Sequence, residues 1–132
     1  MFPAARRRNE VFWAMMAAFL ALTLQAALAV TNPPSLAGNW TVDLATQPGQ
    51  PYTRPMQLTL NPDGTVSGLF YQSTIEKGRW KTDRGRTCAS FRTSDGNGPY
   101  HTSVCLREDR AEGQTWAENR NFLFNWIATR TR

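Results

Sequence analysis

Leu36-Ala37-Gly38-Asn39-Trp40, continued by Thr41-Val42-Asp43-Leu44, decides the fold: Trp40, Val42 and Leu44 alternate with Asn39, Thr41 and Asp43. That two-residue period belongs to a strand with one buried face. Its counterpart is Trp126-Ile127-Ala128-Thr129-Arg130 near the other end of the chain. In a meander that closes on itself the first and last strands are neighbours. An amphipathic cation on the last strand can then lie over the indole of the first and plug one end. Trp40 and Arg130 are therefore the expected barrel-closing pair.

Between these two segments runs a series of short strands divided by turns. Thr46 to Pro55 contains Gly49 and three prolines and is the longest irregular stretch, placed where a barrel has its mouth. Met56, Leu58 and Leu60 alternate into Asn61-Pro62-Asp63-Gly64, whose proline presets one turn angle while Gly64 accepts positive φ. The return strand runs from Thr65 to about Ser73, and Ile75 to Thr82 follows, turned by Asp83-Arg84-Gly85. Arg86 to Thr93, Pro99 to Arg107, Ala111 to Glu118 and Phe122 to Arg130 complete the set. With no helical periodicity, the reading is all-β: an eight-stranded antiparallel up-and-down meander barrel, the size at which a barrel closes around side chains or one small ligand.

The cysteines provide an independent check. If the hairpin turns at Asp95 to Gly98, Ser94 faces Pro99, Phe91 faces Thr102, Ala89 faces Val104, and Cys88 faces Cys105. The two thiols then meet on the outer wall as a structural disulfide, as suits an exported protein. His101, the single histidine, points outward by the same parity and has no companion at metal-ligand spacing.

Ahead of the barrel, Arg6-Arg7-Arg8, an apolar run from Val11 to Leu24 and Ala27-Leu28-Ala29 form the three parts of a secretory signal peptide cleaved after Ala29. The domain reading is a signal peptide over 1–29, a proline-rich leader over 30–35 and the barrel over 36–132, with an exported product, periplasmic or extracellular. Removing Arg6, Arg7, Arg8 and Glu10 lowers the formal net charge from +5 to near +3. That mild excess gives no reason to expect nucleic acid, since the basic residues from Lys77 to Arg92 read as the solvent face of strands. After cleavage no membrane partner is expected. Gly-x-Ser-x-Gly, His-Glu-x-x-His and phosphate-cradling glycine loops are all missing, so neither an enzyme nor a cofactor is expected.

Gly38-Asn39-Trp40 with a basic residue on the last strand resembles the calycin barrels. Within them, Gly64-Thr65-Val66-Ser67-Gly68-Leu69-Phe70-Tyr71-Gln72-Ser73 is similar to the second hairpin strand of the avidin and streptavidin family, which ends in Tyr-x-Ser. The resemblance implies a ligand site at Thr46, Tyr71, Ser73, Phe91, Thr102 and Trp116, with Tyr71 and Ser73 as hydrogen-bond partners and the aromatics as walls. It also implies departures. Val42, Val104 and Trp126 stand where that family places polar groups that bind biotin, so the expected ligand is a small apolar or heterocyclic molecule rather than biotin. The family resemblance makes a homo-oligomer possible too. Two alternatives stand beside this reading: a solid aromatic core without a ligand, and a protein-binding barrel, because the leader and opening also resemble small periplasmic inhibitors of secreted metalloproteases.

Overall fold

The computed structural model describes residues 34–132; the expected signal peptide and leader residues 30–33 lie outside the described residues. Nine strands follow in order: β1 (Gly38–Asp43), β2 (Thr53–Leu60), β3 (Thr65–Phe70), β4 (Ser73–Thr74), β5 (Glu76–Asp83), β6 (Arg86–Asp95), β7 (Gly98–Arg107), β8 (Arg110–Ala117) and β9 (Phe122–Arg130). Every pairing is antiparallel. β1 bonds to both β2 and β9, and β2 also pairs with β3, so the sheet closes into a ring. β4 and β5 are two pieces of one stave, which makes the barrel eight-stranded as its alternation predicts.

Two departures from the expected strands bear on function. The third strand was expected to run to Ser73, but it stops at Phe70. Tyr71 and Gln72 have φ of 53° and 67°, the two positive angles of a tight two-residue hairpin turn, and Ser73 pairs back on Phe70. The next stave is also interrupted. Lys77 has φ of 51° and the pairing register shifts between Glu76 and Arg79. This β-bulge lets Ile75 and Gly78 both face inward although they are three residues apart. The second strand starts earlier than expected, at Thr53, with Pro55 opposite Thr41 and its carbonyl accepting the Tyr71 N–H at 3.2 Å.

One end of the barrel is sealed by the expected pair. Trp40 is fully buried, its indole N–H donates to the Leu36 carbonyl at 2.9 Å, and the Arg130 guanidinium lies 4.0 Å from its ring centroid. Arg130 also donates to the carbonyls of Ala37, at 2.6 Å, and Ser35. Gly38 makes this possible: it has φ of +123°, and a Cβ there would lie 2.9 Å from Arg130 Nη1. Beside the plug, the Trp80 indole N–H donates to the Asn61 carbonyl at 2.8 Å and ties β5 to the β2–β3 turn.

The register of β6 and β7 places Cys88 opposite Cys105, and the two form a disulfide across 17 residues of chain with their Cα atoms 4.0 Å apart. Ala89, Phe91 and Val104 face inward between them, as the hairpin count requires. By the chain-entropy relation this cross-link stabilises the domain by roughly 3 kcal/mol. The paired variant Cys88→Ser/Cys105→Ser is expected to lose about that much in urea denaturation. A loss below about 1 kcal/mol would mean that the β6–β7 hairpin is already held in the unfolded chain.

Candidate functional site

The end opposite the Arg130 plug is open. A cavity of about 580 Å³ lies there, beneath the β1–β2 loop, the β3–β4 turn, the β6–β7 hairpin and the β8–β9 turn. These connections converge because an up-and-down barrel sends alternate turns to the same end. The irregular stretch before β2, rich in proline, is long enough to arch over the lumen and contributes Gln47, Gln50, Pro51 and Tyr52 to its wall.

Trp126 forms the layer beneath the cavity. It sits opposite Gly113 on β8, and a Cβ at that glycine would overlap the indole, so the ring fills the space that glycine leaves empty. Phe70 packs on it at 5.6 Å between centroids and meets Phe91 edge-on at 6.1 Å. The Trp126 indole N–H donates to the Thr115 hydroxyl at 2.9 Å, and Thr115 shares a 2.9 Å hydrogen bond with Thr102. Each buried polar atom in this trio thereby has a partner. The lumen is packed in its lower half and hollow above it, so the solid core that small barrels favour is realised over only part of the height.

Thr46, Tyr71 and Ser73 come together on the cavity wall. Phe91 and Thr102 are buried below it, where Phe91 packs on Phe70 and the Thr102 hydroxyl is engaged by Thr115. Trp116 is not brought into the lumen. The β7–β8 register, set by pairing of Arg107 with Arg110, turns Ala111, Thr115 and Ala117 inward and leaves Trp116 on the outer wall, 37% exposed and opposite Leu123. His101 lies outside as well, 3.9 Å from Glu118.

The mouth holds residues that the resemblance did not mark. Tyr52 and Tyr71 share a hydrogen bond between their hydroxyls, and Arg54 stacks on both rings, 4.6 and 4.8 Å from the centroids. The hydrogen bond with Tyr52, then the one with Arg54, lowers the Tyr71 pKa below that of an ordinary phenol. Also at the opening, Arg120 lies 5.8 Å from the centroid of Phe124, which in turn packs edge-on to Phe122 at 4.6 Å. Tyr100 donates to Asp95 at 3.1 Å, and burial followed by this hydrogen bond raises its pKa. One signal for Arg54 was present in the alternation, since it shares parity with inward Met56 and Leu58.

Such a mouth can bind without reacting. It offers aromatic faces for stacking, hydroxyls and amides for orientation, and a buried aromatic layer beneath. No family model, curated protein or solved structure matches this chain.

Proposed function

We propose that this protein is an exported, non-enzymatic barrel that binds one small flat molecule, apolar or heterocyclic, in the hollow half of its lumen. The observation that carries this reading is the asymmetry of the barrel: Arg130 and Trp40 seal one end while a 580 Å³ cavity walled by Tyr52, Tyr71, Phe70 and Phe124 opens at the other. A cavity of that size suits a drug-sized ligand. The cystine between β6 and β7 supports an oxidising, exported setting. In architecture the site is avidin-like, but its chemistry departs from biotin recognition. Val42 and Val104 are buried apolar side chains, and the Trp126 N–H is already engaged by Thr115. Each buried ligand group left without a partner would cost about 1–3 kcal/mol. The protease-inhibitor reading is less well supported, because the cystine joins later strands than it does in that family.

Native mass spectrometry of the mature protein from its own exported fraction tests the reading. The expected spectrum carries a small bound mass on an oxidised chain, and added biotin binds no tighter than micromolar. Submicromolar biotin binding would overturn the departure from avidin chemistry. A chain that arrives empty and takes up no aromatic probe would overturn the ligand-binding reading itself.

A further inference from the structure

The charges at the mouth narrow the ligand class further. Arg54 and Arg120 both stand at the opening: Arg54 on the inward parity of β2 against the two tyrosines of the cavity wall, Arg120 on the β8–β9 turn against Phe124. Among the described residues, neither guanidinium lies within 4.0 Å of a carboxylate; the ion pairs there are Lys81 with Asp83, His101 with Glu118 and Arg107 with Glu112. Asp95 is the acid on the cavity wall, and its two oxygens are taken by the Asn97 N–H at 2.7 Å and the Tyr100 hydroxyl at 3.1 Å. Two other acids stand at this end, Asp43, which accepts the Ala45 N–H, and Glu118, which lies 3.9 Å from His101; neither lines the cavity, so Arg54 and Arg120 face one committed carboxylate on its wall. Each guanidinium stacks on aromatic rings, which fixes its plane, and the side-chain oxygens its N–H groups meet are neutral phenols, those of Tyr52 and Tyr71 for Arg54 and that of Tyr100 for Arg120, which an incoming oxygen acid would outcompete. Resting on the ligand-binding reading above, we infer that the ligand is an aromatic anion, its ring in the cavity and its carboxylate or sulfonate at the rim between Arg54 and Arg120.

The test uses two fluorescent probes that share one skeleton. 8-Anilinonaphthalene-1-sulfonate carries the acid, and N-phenyl-1-naphthylamine lacks it. The sulfonate is expected to bind about tenfold tighter than the neutral probe, the effect of roughly one hydrogen bond to a charged group. Competition between the probes shows that they share one site, and the response of the sulfonate to substitution of Arg54 and Arg120 places that site at the mouth rather than on the outer wall. In Arg54→Gln/Arg120→Gln the preference for the sulfonate is expected to disappear while the neutral probe still binds, and Arg54→Lys/Arg120→Lys is expected to retain most of it. Equal binding of the two probes, or a preference that survives the Gln pair, would overturn the anion assignment and leave a neutral aromatic ligand in the same cavity. Failure of both probes to bind would remove the ligand-binding reading together with the anion assignment.

Discussion

Trp126→Ala is expected to destabilise the barrel by about 4 kcal/mol, within the range for truncating a buried large aromatic. Three losses coincide at this position. The indole covers Gly113, which has no side chain to refill the space; Phe70 loses the ring it packs on; and Thr115 loses its indole donor. For a domain of this size, that loss would lower the thermal midpoint by roughly 20 °C. Trp126→Phe separates the causes, since it keeps much of the ring and removes the N–H, and about 1 kcal/mol is expected for it. Equilibrium denaturation measures both. If alanine costs no more than phenylalanine, packing over Gly113 is not what holds the layer beneath the cavity.

Gly68→Ala is expected to have an effect of similar size, about 4 kcal/mol, from a different cause. Gly68 has φ of +134°, a region essentially closed to other residues, and a Cβ there would overlap the carbonyl of Gln57 on the neighbouring strand. Strain and overpacking each contribute roughly 1–3 kcal/mol in such cases. The obstacle is backbone, so no side chain can swing aside. Gly68 also accepts the Ile75 N–H at 2.9 Å, which means that the change would disturb the broken stave at the cavity wall as well as the β2–β3 ladder. Gly96→Ala is the matched control, because a Cβ at Gly96 meets nothing within 4 Å. Both variants are compared by denaturation of the oxidised protein; a Gly68→Ala midpoint equal to that of Gly96→Ala would contradict the assignment.

Much of this architecture was legible because strands with one buried face repeat every two residues and turns have few chemistries. The β6–β7 register and its cystine follow from counting back from one glycine-rich turn, and the Trp40–Arg130 plug follows from closing a meander. Parity was less secure wherever the backbone departs from a plain strand. Ile75 and Trp80, an odd number of residues apart, cannot both face inward without an inserted residue, and the Lys77 bulge beside Gly78 is that insertion. Tyr71 was read as a strand residue because Tyr-Gln-Ser contains no glycine to announce a turn, yet it adopts positive φ at the hairpin tip.

Trp116 shows a second limit. A large aromatic suggests an interior position, but Ala111, Thr115 and Ala117 take the inward places on that strand because Trp126 fills the lumen from across β9. Burial preference by residue type is weaker than the register imposed by a two-residue turn. The cationic rim was the least legible part. Arg54 and Arg120 are far apart in sequence, and only ring closure brings their strands and turns to the same opening.

The Arg130 plug also sets an order on folding. It joins the first strand to the last, so the contacts with the widest separation in the domain form only after β9 is present. A chain in which that seam has not formed would be an open curved sheet with unpaired edges on β1 and β9. The capture of β9 by β1, a long loop closure rather than a local hairpin event, is therefore expected to be the slowest step, which stopped-flow refolding of the Arg130→Ala variant would check. Until it closes, that seam is the stretch most open to pairing with another chain.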